Sequence, residues 1–340
     1  MEDETMIGKR NPQFSILDGV FNSRTKRSRS DALLDKINNF VDWKKLAALS
    51  QGVFKDTTRG RPTIPVEFSL KCLFLQYLYN LSDPALEDAL IDRLSFQRFL
   101  GISFDRDIPD FSTIWRFRER LVKTGIFDRM FDMLLADLEE KKLVLRRGTL
   151  VDATIVQAAR KQRKKKEAGD ENTSETPRQM AQRDCDATAT KKGKTFYYGY
   201  KGHIGMDEGS GIIRKKRFTT ASVHDSMEFD NLVGGDERSV FSDKAYANDE
   251  RKREFRKNGI FCGILDKAKR NHPLSGKQKK DNVQKSRVRS AVERPFAHFK
   301  HLYGYVRTRY VTLKRNDCQF TFLCMISNIR RGIALSASSA

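Results

Sequence analysis

The stretch Leu143-Val-Leu-Arg-Arg-Gly-Thr-Leu-Val-Asp-Ala-Thr-Ile-Val156 decides the fold. It is rich in β-branched residues, is broken only by Gly148, and reads as a β-strand. The chain before it, from 31 to about 142, shows helical periodicity, so the period changes here from about 3.6 residues to 2. Asp152 lies inside the run. A carboxylate on a strand is costly to desolvate unless something binds it, so Asp152 is the first residue that needs a reason.

Downstream, residues 160–195 open on Arg160-Lys-Gln-Arg-Lys-Lys-Lys166 and read as a basic, mobile insertion. Order returns with Phe196-Tyr-Tyr-Gly-Tyr-Lys-Gly-His-Ile-Gly-Met-Asp207. Across the turn Glu208-Gly-Ser-Gly211 it continues over 212–223, which predicts a hairpin. A short helix over 226–233, a strand over 239–243, a charged helix over 248–258 and a strand over 260–265 follow. A basic loop over 267–285 and a helical region from 287 complete the order. This succession predicts an α/β domain over 143–335, a mixed sheet with flanking helices.

Upstream, residues 1–30 end in Arg24-Thr-Lys-Arg-Ser-Arg29, lack hydrophobic periodicity and read as a flexible basic arm. Residues 31–142 predict an all-α domain. One helix covers 66–79. A second has Asp83 as N-cap, Pro84 in first position, Leu86, Leu90 and Leu94 on one face, and Gly101 as stop. A third starts at Asp110-Phe-Ser112 and carries Trp115, Arg116, Arg118 and Arg120. Short helices with arginines on the last suggest a helix-turn-helix-like DNA reader. The competing reading makes Trp115 and Phe117 core and the arginines a solvated face paired with acids such as Glu119.

The 340 residues carry a net charge of +21. Residues 1–150 hold 25 Lys+Arg against 22 Asp+Glu, and 151–340 hold 40 against 22, so nearly all the excess lies in the second part. That part is the one expected to meet a polyanion, nucleic acid above all. No run approaches the roughly 20 apolar residues of a membrane span, and the acidic start Met1-Glu-Asp-Glu4 is unlike a signal peptide; a cytoplasmic place and no membrane partner are expected. Five cysteines without a C-x-x-C pair argue against a disulfide framework or zinc ribbon.

Three acids of the basic part interrupt apolar or structured contexts: Asp152, Asp243 at the end of Val240-Phe-Ser-Asp243, and Glu293 in Arg289-Ser-Ala-Val-Glu-Arg-Pro-Phe-Ala-His-Phe-Lys300. Hard divalent cations prefer such oxygen ligands, and gathered carboxylates in a positive field suit phosphodiester chemistry. Taken singly, each is also consistent with a cap or an ion pair. Pro295 removes a helical hydrogen bond, so the helix bearing Glu293 is expected to start or kink there. Lys201 and His203 lie on the strand expected beside Asp152. They are candidates to meet DNA phosphate or orient a carboxylate, or else a sheet-surface pair. Tyr197, Tyr198 and Tyr200 read as sheet or core, and His224-Asp225 as a structural turn.

These stretches, together with Thr190-Lys-Lys-Gly193, Ala221-Ser-Val-His-Asp-Ser226, Val240-Phe-Ser-Asp-Lys-Ala-Tyr246 and Pro109-Asp-Phe-Ser-Thr-Ile-Trp-Arg-Phe-Arg118, run co-linearly along a chain that resembles the insertion-sequence DDE transposases, close to insertion-sequence family five. The resemblance implies a ribonuclease H-like core in which Asp152, Asp243 and Glu293 hold two magnesium ions, with manganese able to substitute. It implies cleavage at the transposon's inverted repeats by activated water, and then attack of the freed 3′-hydroxyl on target DNA, with no covalent protein–DNA intermediate. It further implies a homodimer in the end-joined complex and a bacterial or archaeal, nucleoid-associated setting. Related transposases surround the last acid with a Tyr-x2-Arg-x3-Glu-x6-Lys signature whose basic members hold DNA phosphate. Arg289 and Lys300 fit that spacing, while Ser286 stands at the Tyr position. The alternative expectation is a catalytically silent, domesticated DNA-binding protein of the same descent.

Overall fold

The computed structural model describes residues 28–50, 64–102, 108–160, 184–268 and 271–338. The expected arm, all but its last three residues, and 161–183 of the expected insertion lie outside them. The chain divides into two compact units, Met1–Asp137 with Gly332–Ala340, and Leu138–Arg331.

The first unit is helical: α1 (Arg29–Phe40), α2 (Trp43–Ala48), α3 (Val66–Leu78), α4 (Asp83–Asp92), α5 (Leu94–Leu100), α6 (Phe111–Thr124) and α7 (Ile126–Glu140), which runs on into the second unit. Ser28 and Asp31 close a capping box at the start of α1. α3 is buried along nearly its whole length, as a helix apolar on every side must be. Trp43 packs edge-on against Phe74 and Phe99, with centroids 5.4 and 5.7 Å away. Two expectations are corrected here. The cap before Pro84 is Ser82, whose hydroxyl accepts from the Ala85 amide, and Asp83 is already helical. The expected single helix is two, because Arg93 turns extended (φ −98°, ψ 106°) between α4 and α5. Gly101, at φ 67°, ends α5 as expected.

The second unit holds a six-stranded sheet of β1 (Thr149–Gln157), β2 (Thr188–Lys192), β3 (Thr195–Asp207), β4 (Ile213–Thr220), β5 (Ser239–Ser242) and β6 (Phe261–Ile264). Its order is β2-β3-β1-β5-β6, with β4 also paired to β3. β3 runs antiparallel to β1, β2 and β4, whereas β1, β5 and β6 are parallel. A central first strand with an antiparallel hairpin on one side and parallel strands on the other is the ribonuclease H-like arrangement. Around it lie α8 (Asp249–Lys257), α9 (Gly276–Arg289), a 3-10 turn (Ser290–Val292), α10 (Glu293–His301) and α11 (Leu313–Ser338).

One cluster of the core gathers Val151, Phe229, Leu232, Val240, Tyr246, Phe255 and Ile264. A second is aromatic: Phe218 lies 5.4 Å from Tyr200 and 5.3 Å from Phe320. Gly202 lets Phe320 that close, since a Cβ there would stand 2.5 Å from its ring.

Strand β1 starts at Thr149 and not at Leu143. The Leu145 and Arg146 amides are bound by the Asp207 carboxylate, and Arg146 bends to φ 52°. The expected helix over 226–233 is only a 3-10 turn, Asp225–Met227. The expected loop over 267–285 contains most of α9, opened by a capping box of Ser275 and Gln278. α9 buries no residue, so no apolar stripe announced it among the lysines.

Candidate active site

The strand ladder brings the first two acids together. β1 and β5 pair in parallel through Val151 opposite Ser242, so Asp152 and Asp243 are the next residues of adjacent strands, which lie about 4.8 Å apart. Asp152 is still within β1, where its carboxylate accepts from the Ala153 amide at 2.8 Å. Asp243 has just left β5. It caps the 3-10 turn Lys244–Tyr246 and accepts from the Lys244 amide at 2.7 Å.

Glu293 arrives by another route. α9 ends at Arg289, the turn Ser290–Val292 packs on β1 with Val292 fully buried, and α10 begins at Glu293. Pro295 therefore occupies the first turn of α10, where a missing N–H costs no helical bond. The start expected at this proline is where the helix begins. Arg289 then spans two of the acids, with Nη1 3.0 Å from Asp152 and Nη2 2.8 Å from Glu293.

The electrostatics favour cations. Burial raises the Asp152 pKa, the Asp243 and Glu293 charges raise it further, and the Ala153 amide and Arg289 pull the other way without prevailing. One guanidinium thus faces an excess of carboxylate. Oxygen donors of this kind suit hard divalent ions, and Arg289 stands in for positive charge between Asp152 and Glu293. The donor set fits such ions in its chemistry. Among the described residues, however, no group of three His, Cys, Asp or Glu side chains is already drawn together around one ion position.

Two residues not singled out from sequence support the second acid. Tyr246 is buried beneath the site with no hydrogen-bond partner for its hydroxyl, and burial followed by the charges of Asp225, Asp152 and Asp243 raises its pKa. Arg251 donates to the carbonyl oxygens of Tyr246 (3.0 Å) and Ser226 (3.4 Å) and stacks 4.1 Å from the Phe229 ring. It ties down the turn that Asp243 caps. Tyr246 was visible as the third residue after Asp243, but nothing distinguishes Arg251 from its charged neighbours in α8.

Three other expectations change. Arg118 is 1% exposed and holds Asp83 through two bonds of 2.6 and 2.9 Å, so it braces the helical unit and presents nothing to DNA. His203 is buried, bonded to Thr219 at 2.9 Å, with its pKa pushed down to about 4 mainly by burial; it is neutral at neutral pH. Lys201 is buried against the Val223 carbonyl and Asp225. Because Asp152 pairs with Ile204, the alternating side chains of His203 and Lys201 point to the sheet face opposite Asp152. Neither orients that carboxylate, and both side chains are buried.

Arg116 and Arg120 are exposed on α6, and Lys300 is half-buried seven residues beyond Glu293 on α10. Trp115, in the competing reading a core residue, is 44% exposed, whereas Phe117 is core. The Tyr198 and Tyr200 hydroxyls bond Asp184, as ordinary sheet residues.

A family model described as Transposase DDE domain matches residues 145–329, and one described as Transposase domain (DUF772) matches residues 22–120. Among solved structures, the chain is similar to a piggyBac transposase synaptic complex with hairpin DNA, at 11% identity and a TM-score of 0.47, over 91% of this chain and 76% of that one.

Proposed function

The chain belongs to the family of the Transposase DDE domain, and from that premise we propose that it cuts DNA at the inverted repeats of its own element and joins the freed 3′-hydroxyl to target DNA. The observation that supports this reading is Arg289 bridging Asp152 of β1 and Glu293 of α10, with the charge of Asp243, just past β5, also acting on Asp152. The resemblance to insertion-sequence family five is part of the proposal. So are a division of labour between residues 31–142 for recognition and 143–335 for catalysis, and a homodimer that brings two ends together.

Asp152, Asp243 and Glu293 are the proposed ligands of two magnesium ions, replaceable by manganese. Bound there, the ions supply Lewis acidity to the attacking water or 3′-hydroxyl and to the leaving oxygen. The residues of the chain do the rest. Asp152 is held within β1, and Asp243 caps the turn just past β5, one rung on from the Val151–Ser242 pair that sets the two side by side. With ions held there, Arg289 would no longer be needed to balance Asp152 and Glu293, and its guanidinium would suit a DNA phosphate. Lys300 lies two helical turns, about 10 Å, along the same face as Glu293 and suits a further phosphate. Arg116 and Arg120 are the proposed phosphate or base contacts of the helical unit. Nothing in the site favours the silent binder, which has no use for an uncompensated acid cluster.

Asp152→Ala, Asp243→Ala and Glu293→Ala are each expected to lower magnesium-dependent cleavage and strand transfer by at least about a thousand-fold, the value of several kcal/mol of Lewis-acid stabilisation. Binding to duplexes bearing the element's ends should stay within a few-fold. Gel assays of cleavage, joining and retardation check both. Full strand transfer by any of the three variants refutes the assignment.

A further inference from the structure

β2 and β3 form a hairpin with Lys192 opposite Thr195, leaving Gly193 and Lys194 as a two-residue turn with Gly193 at φ 63°. Its tip carries Lys191, Lys192 and Lys194, all exposed, and Phe196, at 73% the most exposed large apolar side chain among the described residues. Lys191 lies over the Phe196 ring at 5.2 Å. Among the described residues, no ion pair engages these lysines or Lys300. Uncompensated cations gathered at one hairpin tip repel one another and gain from an anion between them. An exposed ring beside them adds a flat apolar face, and bases offer flat apolar faces next to phosphates.

We propose that the β2–β3 tip is a DNA-gripping ribbon: Lys191, Lys192 and Lys194 hold successive backbone phosphates, and Phe196 stacks on a base unstacked there. The catalytic acids sit in the sheet and in α10, whereas this grip is supplied by the turn between β2 and β3. It rests on the transposase reading and adds a contact, separate from the acids, that opens the helix at one step. Three exposed lysines around an exposed ring complement a phosphate backbone with its bases, which favours DNA over a second protein chain as the occupant.

The test uses the full chain and duplexes of the element's end with 2-aminopurine moved step by step along them. Wild type is expected to brighten the probe at one step, and Phe196→Ala to lose that signal, with Phe196→Trp restoring the unstacking. Lys192→Ala and Lys194→Ala should each reduce the slope of log affinity against log salt by about one. Unchanged brightening in Phe196→Ala with unchanged slopes in the lysine variants overturns the grip while leaving wild-type cleavage, and so the transposase reading, standing. A wild type that binds none of these duplexes at low salt overturns both. Light scattering adds a third outcome: if Phe196→Ala halves the mass of the DNA-free protein, the ring is a contact between copies and the proposal fails.

Discussion

Each unit of the molecule contains an arginine drawn in among carboxylates, and the two settings differ in their balance. In the helical unit, Arg118 meets Asp83 through two bonds and Gln76 through a third, so that one cation bonds one anion and one neutral amide. In the sheet unit, Arg289 meets Asp152 and Glu293, with the Asp243 charge also acting on Asp152. In the first set, these bonds match one cation with one anion. The second is short of positive charge, and a site with that deficit has reason to take up cations. Burial of an arginine therefore carries no functional meaning until the charges around it are summed.

The comparison can be broken by experiment. Arg118→Ala strands Asp83 and should cost about 3 kcal/mol, the lower end for a broken buried pair because Asp83 keeps some solvent contact. Arg118→Met should recover part of that loss. Denaturant melts measure both, and an unaltered midpoint for Arg118→Ala would mean that the pair is no brace.

Asp152 should behave in the opposite sense. Its folded pKa lies above its unfolded value, so the ionised carboxylate opposes folding. Without metal, wild-type stability should fall as pH rises from the ordinary aspartate value through the raised one, and stay lower beyond. Asp152→Asn should flatten that dependence and melt at or above the wild-type temperature at neutral pH. Magnesium should raise the wild-type melting temperature and leave that of Asp152→Asn nearly unmoved. Thermal scans in chelator and in magnesium decide it; a lower neutral-pH melting temperature for Asp152→Asn contradicts the charge deficit. The smallest effect belongs to Arg116→Ala, which should weaken end binding by only a few-fold and lower its salt slope by about one. A footprint and slope identical to wild type would make α6 scaffold alone.

How far the sequence reaches depends on the range of the interaction. The strand containing Asp152, the end of β5 at Asp243 and the helix start near Pro295 follow from local patterns, and all three emerge close to where those patterns point. Register is different. Whether His203 shares a face with Asp152 depends on which β3 residue lies opposite, and a one-residue change of pairing reverses the answer. The partner of Arg118 sits 35 residues away on another helix, so its burial left no trace in the spacing Arg116, Arg118, Arg120. α9 shows the remaining case. Its capping box was written in Ser275 and Gln278, but a run of lysines with no apolar stripe reads first as loop.

The pairing of β1 with β5 also bears on how this protein can change over generations. Asp152 and Asp243 are neighbours because Val151 stands opposite Ser242, one rung before them. Substitutions along these strands leave that count intact, whereas loss or gain of a single codon within Ser239–Ser242 would move Asp243 by one position and turn its side chain to the other face. Lineages of this chain should therefore tolerate varied residues in β5 far more readily than a change in its length.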